Sequence, residues 1–172
     1  MRFIIIYSYL TIFMACSPKS YTDWVFLPPI RGSWETINTY GGSKEDIAHG
    51  VSITSDGGFV VIGNTKSTDG NFLIKDKAGS DIFLMKFSAS NSLEWTQVYG
   101  GSEDDRGYDV VQLLDEGFAL VGYSKSDDGD ASVNQGQHDN WVIRTDSKGL
   151  LLWQKSFGFL GHDHAYSITS TS

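Results

Sequence analysis

The sequence has few cysteines, few prolines and little positive charge, and each shortage excludes something. Cys16 is the only cysteine in 172 residues, so no disulfide can form within the chain and the fold must depend on packing. The formal net charge is -8, which argues against a nucleic-acid partner because phosphates attract an excess of lysine and arginine. The chain has 3 prolines against 19 glycines, with short runs rich in Val, Ile, Phe, Tyr, Trp and Thr. This composition favours β-strands joined by tight turns.

Motifs for catalysis are also scarce. No Gly-x-Ser-x-Gly motif occurs, and no histidine falls at a repeat position shared with an evident Ser and Asp partner. We interpret His49 and His138 as surface or packing residues. His162, Asp163 and His164 offer two imidazoles and a carboxylate, but a zinc site needs three or four converging ligands. An exposed loop is therefore the favoured interpretation of residues 162–164, and a metal site is the alternative.

The N-terminus has the pattern of a secretory signal. Arg2 precedes an apolar run, residues 3–15, which is too short to span a bilayer comfortably. The sequence FMAC at residues 13–16 resembles the lipobox of bacterial lipoproteins, in which the cysteine is acylated, with palmitate for example, and becomes the first mature residue. We expect a signal peptide at residues 1–15 and lipidation at Cys16. An unlipidated signal peptide or an N-terminal membrane anchor is the alternative.

Removal of the signal peptide takes away one positive charge and leaves a mature net charge of -9. Residues 16–33 are then expected to form the lipidated cysteine and a tether. The resemblance implies a protein anchored by lipid in the bacterial cell envelope, at the outer membrane, on its periplasmic or surface face. Several acyl chains would hold it firmly on the membrane.

The rest of the chain is an internal repeat. SDGGFVVIGNTKSTDG at residues 55–70 matches LDEGFALVGYSKSDDG at residues 114–129, a shift of 59 positions. After one deletion, FLMK at 83–86 matches WVIR at 141–144 with a shift of 58, and the same shift leads into a third copy. A period of this length indicates a repeat architecture.

Each full copy contains four strand-like runs, the number of strands in a β-propeller blade. We predict an all-β fold of four-stranded antiparallel blades in an incomplete, open ring. Blade 1 is expected at about 47–99, blade 2 at about 106–157, and the start of a third at 163–172. Trp34–Tyr40 and Ala165–Ser170 are expected to be lone strands at the two ends. The predicted strands of the two blades are 47–54, 58–65, 81–88 and 93–99, then 106–113, 117–124, 139–145 and 150–157.

Turn chemistry supports this division. Residues 56–58 (DGG) and 115–117 (DEG) suit a tight hairpin between the first two strands of each blade, with a glycine at positive φ. Gly149 occupies a second turn, and Asn91 takes its place in the first copy. Each aspartate of the Y-G-G-S-x-x-D connection is expected to accept backbone N–H groups at the start of the next blade.

The pattern W-x-x-x-Y-G-G-S-x-x-D, followed by D-G-G-[FY] and by D-x-[FW]-[LV]-[VIM]-[KR], resembles the bacterial SBBP-like β-propeller repeat over residues 34–172. The resemblance implies propeller blades in an extracellular or periplasmic setting. It carries no catalytic motif, so we expect no enzyme activity and no cofactor. The repeated positions, which we expect to be structural, are Trp34, Tyr40, Gly41, Gly42, Asp46, Gly58, Gly63, Asp81, Trp95, Tyr99, Gly100, Gly101, Asp105, Gly117, Gly122, Asp139, Trp153, Gly158 and Asp163.

Two further features have a structural and a functional interpretation. Asp127, Asp128 and Asp130 form an acidic loop that is a candidate for Ca²⁺, but it does not fit the calcium-loop pattern and its first-copy equivalent keeps one acid. A solvated turn is favoured. The tryptophans that recur at the repeat period are expected to pack blades together, and a sugar-stacking platform is the alternative.

These observations favour a non-catalytic binding or scaffold module for a protein or a glycan. One alternative is a truncated fragment of a longer propeller without its own function, because the third copy stops in mid-repeat. A second alternative is a propeller-type glycoside hydrolase or lyase, although the predicted inner strands show no converging acids or histidines. Open blade edges also make self-association an expectation.

Overall fold

The computed structural model describes residues 3–6, 37–72, 79–131 and 133–171. Within these ranges the regular elements are all β-strands, and most belong to two four-stranded antiparallel sheets. No helix in the described part of the chain has the length and apolar character needed to cross a membrane. The predicted all-β fold of propeller-like blades is confirmed, and the two sheets leave the ring open.

The chain divides into two units, Ile4–Thr39 and a larger unit that includes Tyr40–Ser172. Strands β1 (Phe3–Ile6) and β2 (Ile37–Tyr40) form a two-stranded sheet that belongs mostly to the smaller unit. β2 covers the end of the lone strand predicted at residues 34–40. β1 lies in the predicted signal peptide, so its removal with that peptide would confine this sheet to the precursor. Cys16, Trp34 and the tether at residues 16–33 lie outside the described residues.

The larger unit contains both blades, and each predicted strand end differs from the observed one by at most one residue. In each blade the strands lie side by side in chain order, and every neighbouring pair is antiparallel. Blade 1 consists of β3 (Asp46–Ile53), β4 (Phe59–Thr65), β5 (Asp81–Phe87) and β6 (Leu93–Tyr99). Blade 2 consists of β7 (Asp105–Gln112), β8 (Phe118–Ser124), β9 (Asp139–Thr145) and β10 (Leu151–Phe157).

The core lies between the two blades. The middle strands have continuous apolar runs because both of their faces are covered, and all seven residues of β5 and of β8 are buried. Burial of these side chains is the main favourable contribution to folding, about 25 cal/mol for each Å² of apolar surface removed from water. The cluster between the blades consists of Val60, Ile62, Ile82, Leu84, Tyr99, Val110, Phe118, Leu120, Ala131, Trp141 and Ile143, with Trp95 packed against it.

The turns follow the sequence prediction with one exception. Gly57 has a φ of 80°, and Gly149 and Asn91 have φ values of 76° and 65°, as expected. In the second blade, however, the hairpin residue at positive φ is Glu116, with a φ of 66°, so the prediction of a glycine there is wrong. The glycine that follows it is required by space, because a Cβ on Gly117 would lie 2.3 Å from the Thr145 carbonyl oxygen.

The lone inner strand predicted at residues 165–170 is not formed. Residues 163–171 contain no strand and run as irregular chain beside β7. The Asp109 carboxylate accepts hydrogen bonds from the Ser167 hydroxyl (2.8 Å) and the Ile168 amide (3.0 Å). Hydrogen bonds to the Asp109 side chain, and not a strand ladder, hold this segment beside β7.

Candidate functional site

Two of the repeated aspartates, Asp46 and Asp105, begin the first strand of each blade, directly after the junction turn. Asp105 is fully buried, and its carboxylate accepts hydrogen bonds from the Ser124 hydroxyl (2.5 Å), the Ser126 hydroxyl (2.9 Å) and the Gly101 amide (2.8 Å). Burial raises the pKa of Asp105, although these donors act in the opposite direction. Asp46 accepts the equivalent bonds in blade 1. These carboxylates organise the junctions between repeats.

The acidic loop is tied to the same junction. The Asp128 carboxylate accepts the Ser102 amide (2.7 Å), and the Asp130 carboxylate accepts the Gly100 amide (3.1 Å). Asp69 and Asn71 make the corresponding bonds in the first copy, whereas Asp127 is exposed. Two of the three candidate Ca²⁺ ligands therefore already accept backbone hydrogen bonds, which is the geometry of a turn.

The remaining repeated positions occupy equivalent places in the two blades. Asp81 and Asp139 begin the third strand, where they pair with Thr65 and Ser124. A Cβ on Gly158 would lie 2.3 Å from Asp139 Oδ1. The other repeated residues are Tyr40 and Tyr99 at strand ends, Gly41, Gly42, Gly100 and Gly101 in the junction turns, Gly63 and Gly122 opposite Ala48 and Gly107, and Gly58 and Gly117 after the hairpin turns.

The recurring tryptophans have different environments in the two blades. The ring of Trp95 packs edge-on against Phe118 of blade 2, with 5.9 Å between the ring centroids. Trp153, its counterpart in blade 2, is 52% exposed, and Leu152 and Phe157 of the same strand are also exposed. The register places both tryptophans on the same face of their blades, because Trp95 pairs with Lys86 and Trp153 pairs with Arg144. An apolar face that is covered in blade 1 is thus open on β10.

Three histidines converge at the end of blade 2 that leads into the third copy. One ligand atom from each of His138, His162 and His164 lies within 4.8 Å of the others. His138 Nδ1 and His164 Nε2 are 2.8 Å apart and share a hydrogen bond. His138 and His162 also form a parallel β-bridge, which fixes their backbones side by side. This is the one such group of metal-ligating side chains within the described ranges.

Aromatic rings support the histidine cluster. The rings of His138 and His164 both stack on Tyr123, each at a centroid distance of 4.4 Å, and Tyr123 is 5% exposed. His164 Nδ1 lies 3.1 Å from the Tyr166 hydroxyl. The two imidazole rings therefore stack side by side on the ring of buried Tyr123, nearly coplanar, with His138 Nδ1 facing His164 Nε2.

The electrostatic surroundings favour neutral imidazoles. Burial lowers the pKa of both His138 and His164, and His162 beside them lowers it further. Arg106 acts in the same direction on both, whereas Asp163 raises the pKa of His164. A neutral imidazole keeps a nitrogen lone pair available as an acceptor or a metal ligand.

The sequence does not connect these residues, because it indicates a surface or packing role for His138 and favours an exposed loop, with a metal site as the alternative, for residues 162–164. The missing signal was in the repeat. In the repeat alignment, His138 corresponds to Ser80 and His162 corresponds to Asp104. At the first junction, the Asp105 amide donates a 2.6 Å hydrogen bond to the Ser80 carbonyl. Applying this contact one repeat later brings His138 beside residue 163.

The inner strands carry a second row of rings. His49 and Tyr108 occupy the β-bulges of β3 and β7, and their ring centroids are 5.1 Å apart. Tyr108 in turn lies 4.9 Å from Tyr166. Asp109, the acidic residue next to Tyr108, already accepts hydrogen bonds from the segment that follows β10. The row therefore offers stacking surface.

Comparison with models of known protein families gives no match, and no curated protein matches the chain.

Proposed function

We propose that this chain is a lipid-anchored bacterial envelope protein whose SBBP-like blades form a non-catalytic scaffold, and that it binds protein through the open face of blade 2. The observation that carries the proposal is the exposure of β10. Trp153, Leu152 and Phe157 are 52%, 58% and 48% exposed. Large apolar side chains grouped on one strand are typical of a protein contact surface.

The repeat indicates which kind of partner the exposed surface of β10 would bind. In blade 1 the equivalent face is covered by the next blade, where Trp95 meets Phe118. β10 is also an edge strand, since β9 is its neighbour on one side in the sheet order. An edge strand presents free N–H and C=O groups to another chain. A second copy of this chain, held on the same membrane by Cys16, provides a matching blade surface.

Protein is a better fit than glycan for this face. Leu150, Leu151 and Leu152, which precede Trp153 in the chain, are exposed aliphatic side chains. Sugar sites depend on aromatic rings combined with several directed polar groups. We therefore assign the surface of β10 to self-assembly of the scaffold.

Light scattering of the full chain in detergent micelles tests the proposal. The wild type is expected to form a discrete dimer or small oligomer whose β10 amides are protected from hydrogen exchange. Trp153→Asp is expected to give a monomer. Ile53→Asp is the matched control, because Ile53 is 81% exposed on β3, an edge strand of the other four-stranded sheet. A wild-type chain that is monomeric at all concentrations, or that binds a glycan through Trp153 instead, would overturn the proposal.

The anchor has its own test. Mass spectrometry of the mature N-terminal peptide is expected to show acylated Cys16, and Cys16→Ser is expected to abolish both the modification and membrane association. An unmodified Cys16 in a membrane-bound chain would refute lipid anchoring and favour an N-terminal membrane anchor.

A further inference from the structure

We propose that His138, His162 and His164 form a binding site for a divalent first-row transition metal ion, with zinc as the expected occupant. The site does not depend on the proposed scaffold function. Imidazole nitrogen is the ligand type that zinc, copper and nickel share. Three histidines with one remaining position for water are a known zinc coordination set.

The distances lie close to those a metal requires. With Zn–N bonds of 2.0–2.1 Å, two ligands of a tetrahedral site are separated by about 3.3 Å. The His138 Nδ1 to His164 Nε2 distance of 2.8 Å must open by roughly half an ångström to reach that value. The ligand atoms of the three histidines lie within 4.8 Å of one another, so metal binding would also bring the most widely separated pair closer together. A metal ion would then replace the proton that His138 and His164 share.

The repeat supplies an internal comparison, because the same backbone junction occurs twice. The Asp105 amide donates to the Ser80 carbonyl (2.6 Å) at the first junction, and the Asp163 amide donates to the His138 carbonyl (2.7 Å) at the second. At the first junction the positions of the three histidines hold Ser80, Asp104 and Arg106. The backbone junction therefore forms without histidine at the first position, so it does not itself require three histidines at the second.

The residues around the histidines also differ from those at the first junction, and the differences favour metal binding. Tyr123 stands where the first junction has Asn64, and it supports two imidazoles by stacking. The Tyr166 hydroxyl lies against His164 Nδ1, which directs Nε2 of the same ring toward His138. Such outer contacts fix the tautomer and orientation of ligating histidines.

Charge around the cluster is mixed. Arg106 and Lys125 disfavour added positive charge near His138, whereas Asp163 favours it near His164. The chain as a whole carries -8. His162 is exposed, so a bound ion would exchange with solvent and keep a water ligand.

Binding would have a structural consequence. His138 precedes β9, whereas His162 and His164 belong to the segment after β10. One ion would tie these two parts of the chain together and hold residues 158–171 on blade 2. A ligand that binds only the folded state raises stability in proportion to the logarithm of its concentration above Kd.

Zinc titration calorimetry of the full chain, purified without a histidine tag and treated with a chelator, tests the site. The wild type is expected to bind one equivalent of Zn²⁺, and Co²⁺ is expected to give the visible absorption of a tetrahedral site. His138→Ala, His162→Ala and His164→Ala are each expected to weaken binding at least about 10-fold, since even outer contacts of metal ligands have effects of that size.

His49→Ala is the matched control, because His49 is the remaining histidine of the four in the sequence. The triple variant His138→Ser, His162→Asp and His164→Arg is a second test, since it installs residues that the first junction already accommodates. It is expected to keep the circular dichroism spectrum and lose zinc binding. Absence of zinc binding by the wild type, or equal binding by the triple variant, would overturn the proposal.

Discussion

The hydroxyl of Tyr99 donates a 2.6 Å hydrogen bond to the carbonyl of Gly149, and this bond joins the end of β6 to the turn between β9 and β10. Tyr99 is 3% exposed, and burial raises its pKa, with Asp130 and Asp146 adding to the effect. The phenol therefore stays protonated and remains a donor at physiological pH. Contact between the blades thus includes a buried polar bond as well as apolar packing.

Tyr99→Phe is expected to destabilise the protein by about 1–3 kcal/mol, because it removes the donor and leaves the Gly149 carbonyl without its bond in a buried place. Urea denaturation followed by circular dichroism measures the change. A loss below about 0.5 kcal/mol would mean that water replaces the hydroxyl and that this bond contributes little.

The strand positions were predictable because the chain contains two full copies of the repeat. The turn at residues 56–58 and its counterpart at 115–117 form equivalent hairpins in the two blades, so the strands could be placed from both copies together. The predicted and observed strand ends agree to within one residue. Buried and partly buried residues alternate along β9, and the register of this strand followed from the turns.

The histidine cluster could not be predicted from spacing along the chain. His138 and His164 are separated by a whole strand pair, β9 and β10, and meet because the segment after β10 returns beside β7 and β8. The exposure of Trp153 was also unexpected from the period. A repeat tells which residues are equivalent, but the covering of a face depends on whether a neighbour is present.

The two tryptophans are expected to respond differently to the same substitution. Trp95→Ala should destabilise the protein by about 2–3 kcal/mol, somewhat below the range for fully buried aromatics, because Trp95 is partly buried against Phe118. Trp153→Ala should change stability by less than about 1 kcal/mol, since its ring is half exposed. Thermal unfolding of dilute samples compares them. Equal losses would show that Trp153 is covered in solution.

The junction aspartates offer a graded comparison. Asp105→Asn is expected to cost about 1–3 kcal/mol, because an amide group faces donors such as the Gly101 N–H with one oxygen fewer. Loss of a buried charge offsets part of this cost, since burial raises the pKa of Asp105. Asp163→Asn should cost under about 1 kcal/mol, because Asp163 accepts the exposed Phe159 amide. Urea unfolding without added metal measures both, and a larger effect at Asp163 would contradict this ranking.

Acid should weaken the hairpin of blade 1 through Asp56. The Lys86 ammonium 2.7 Å away holds the pKa of Asp56 well below its usual range, and the Thr54 hydroxyl and Gly58 amide add to the effect. Because the pKa is lower in the folded state than in the unfolded chain, about 3.9, the folded state resists protonation. The stability that Asp56 contributes is therefore fully present above the unfolded-state pKa, and it is lost progressively as the pH falls from that value through the lower folded-state pKa.

Asp56→Asn removes this dependence, so the variant is expected to lose less stability than the wild type between about pH 5 and pH 2. The effect is moderate, since the Asp56 side chain is 54% exposed and solvent screens its ion pair. Urea unfolding at a series of pH values measures the stability of the wild type and of Asp56→Asn. Asp127→Asn, which changes an exposed residue of the acidic loop, is the control. Parallel curves for wild type and Asp56→Asn would show that the Lys86 contact does not stabilise the folded state, whereas convergence at low pH would assign that stability to this pair.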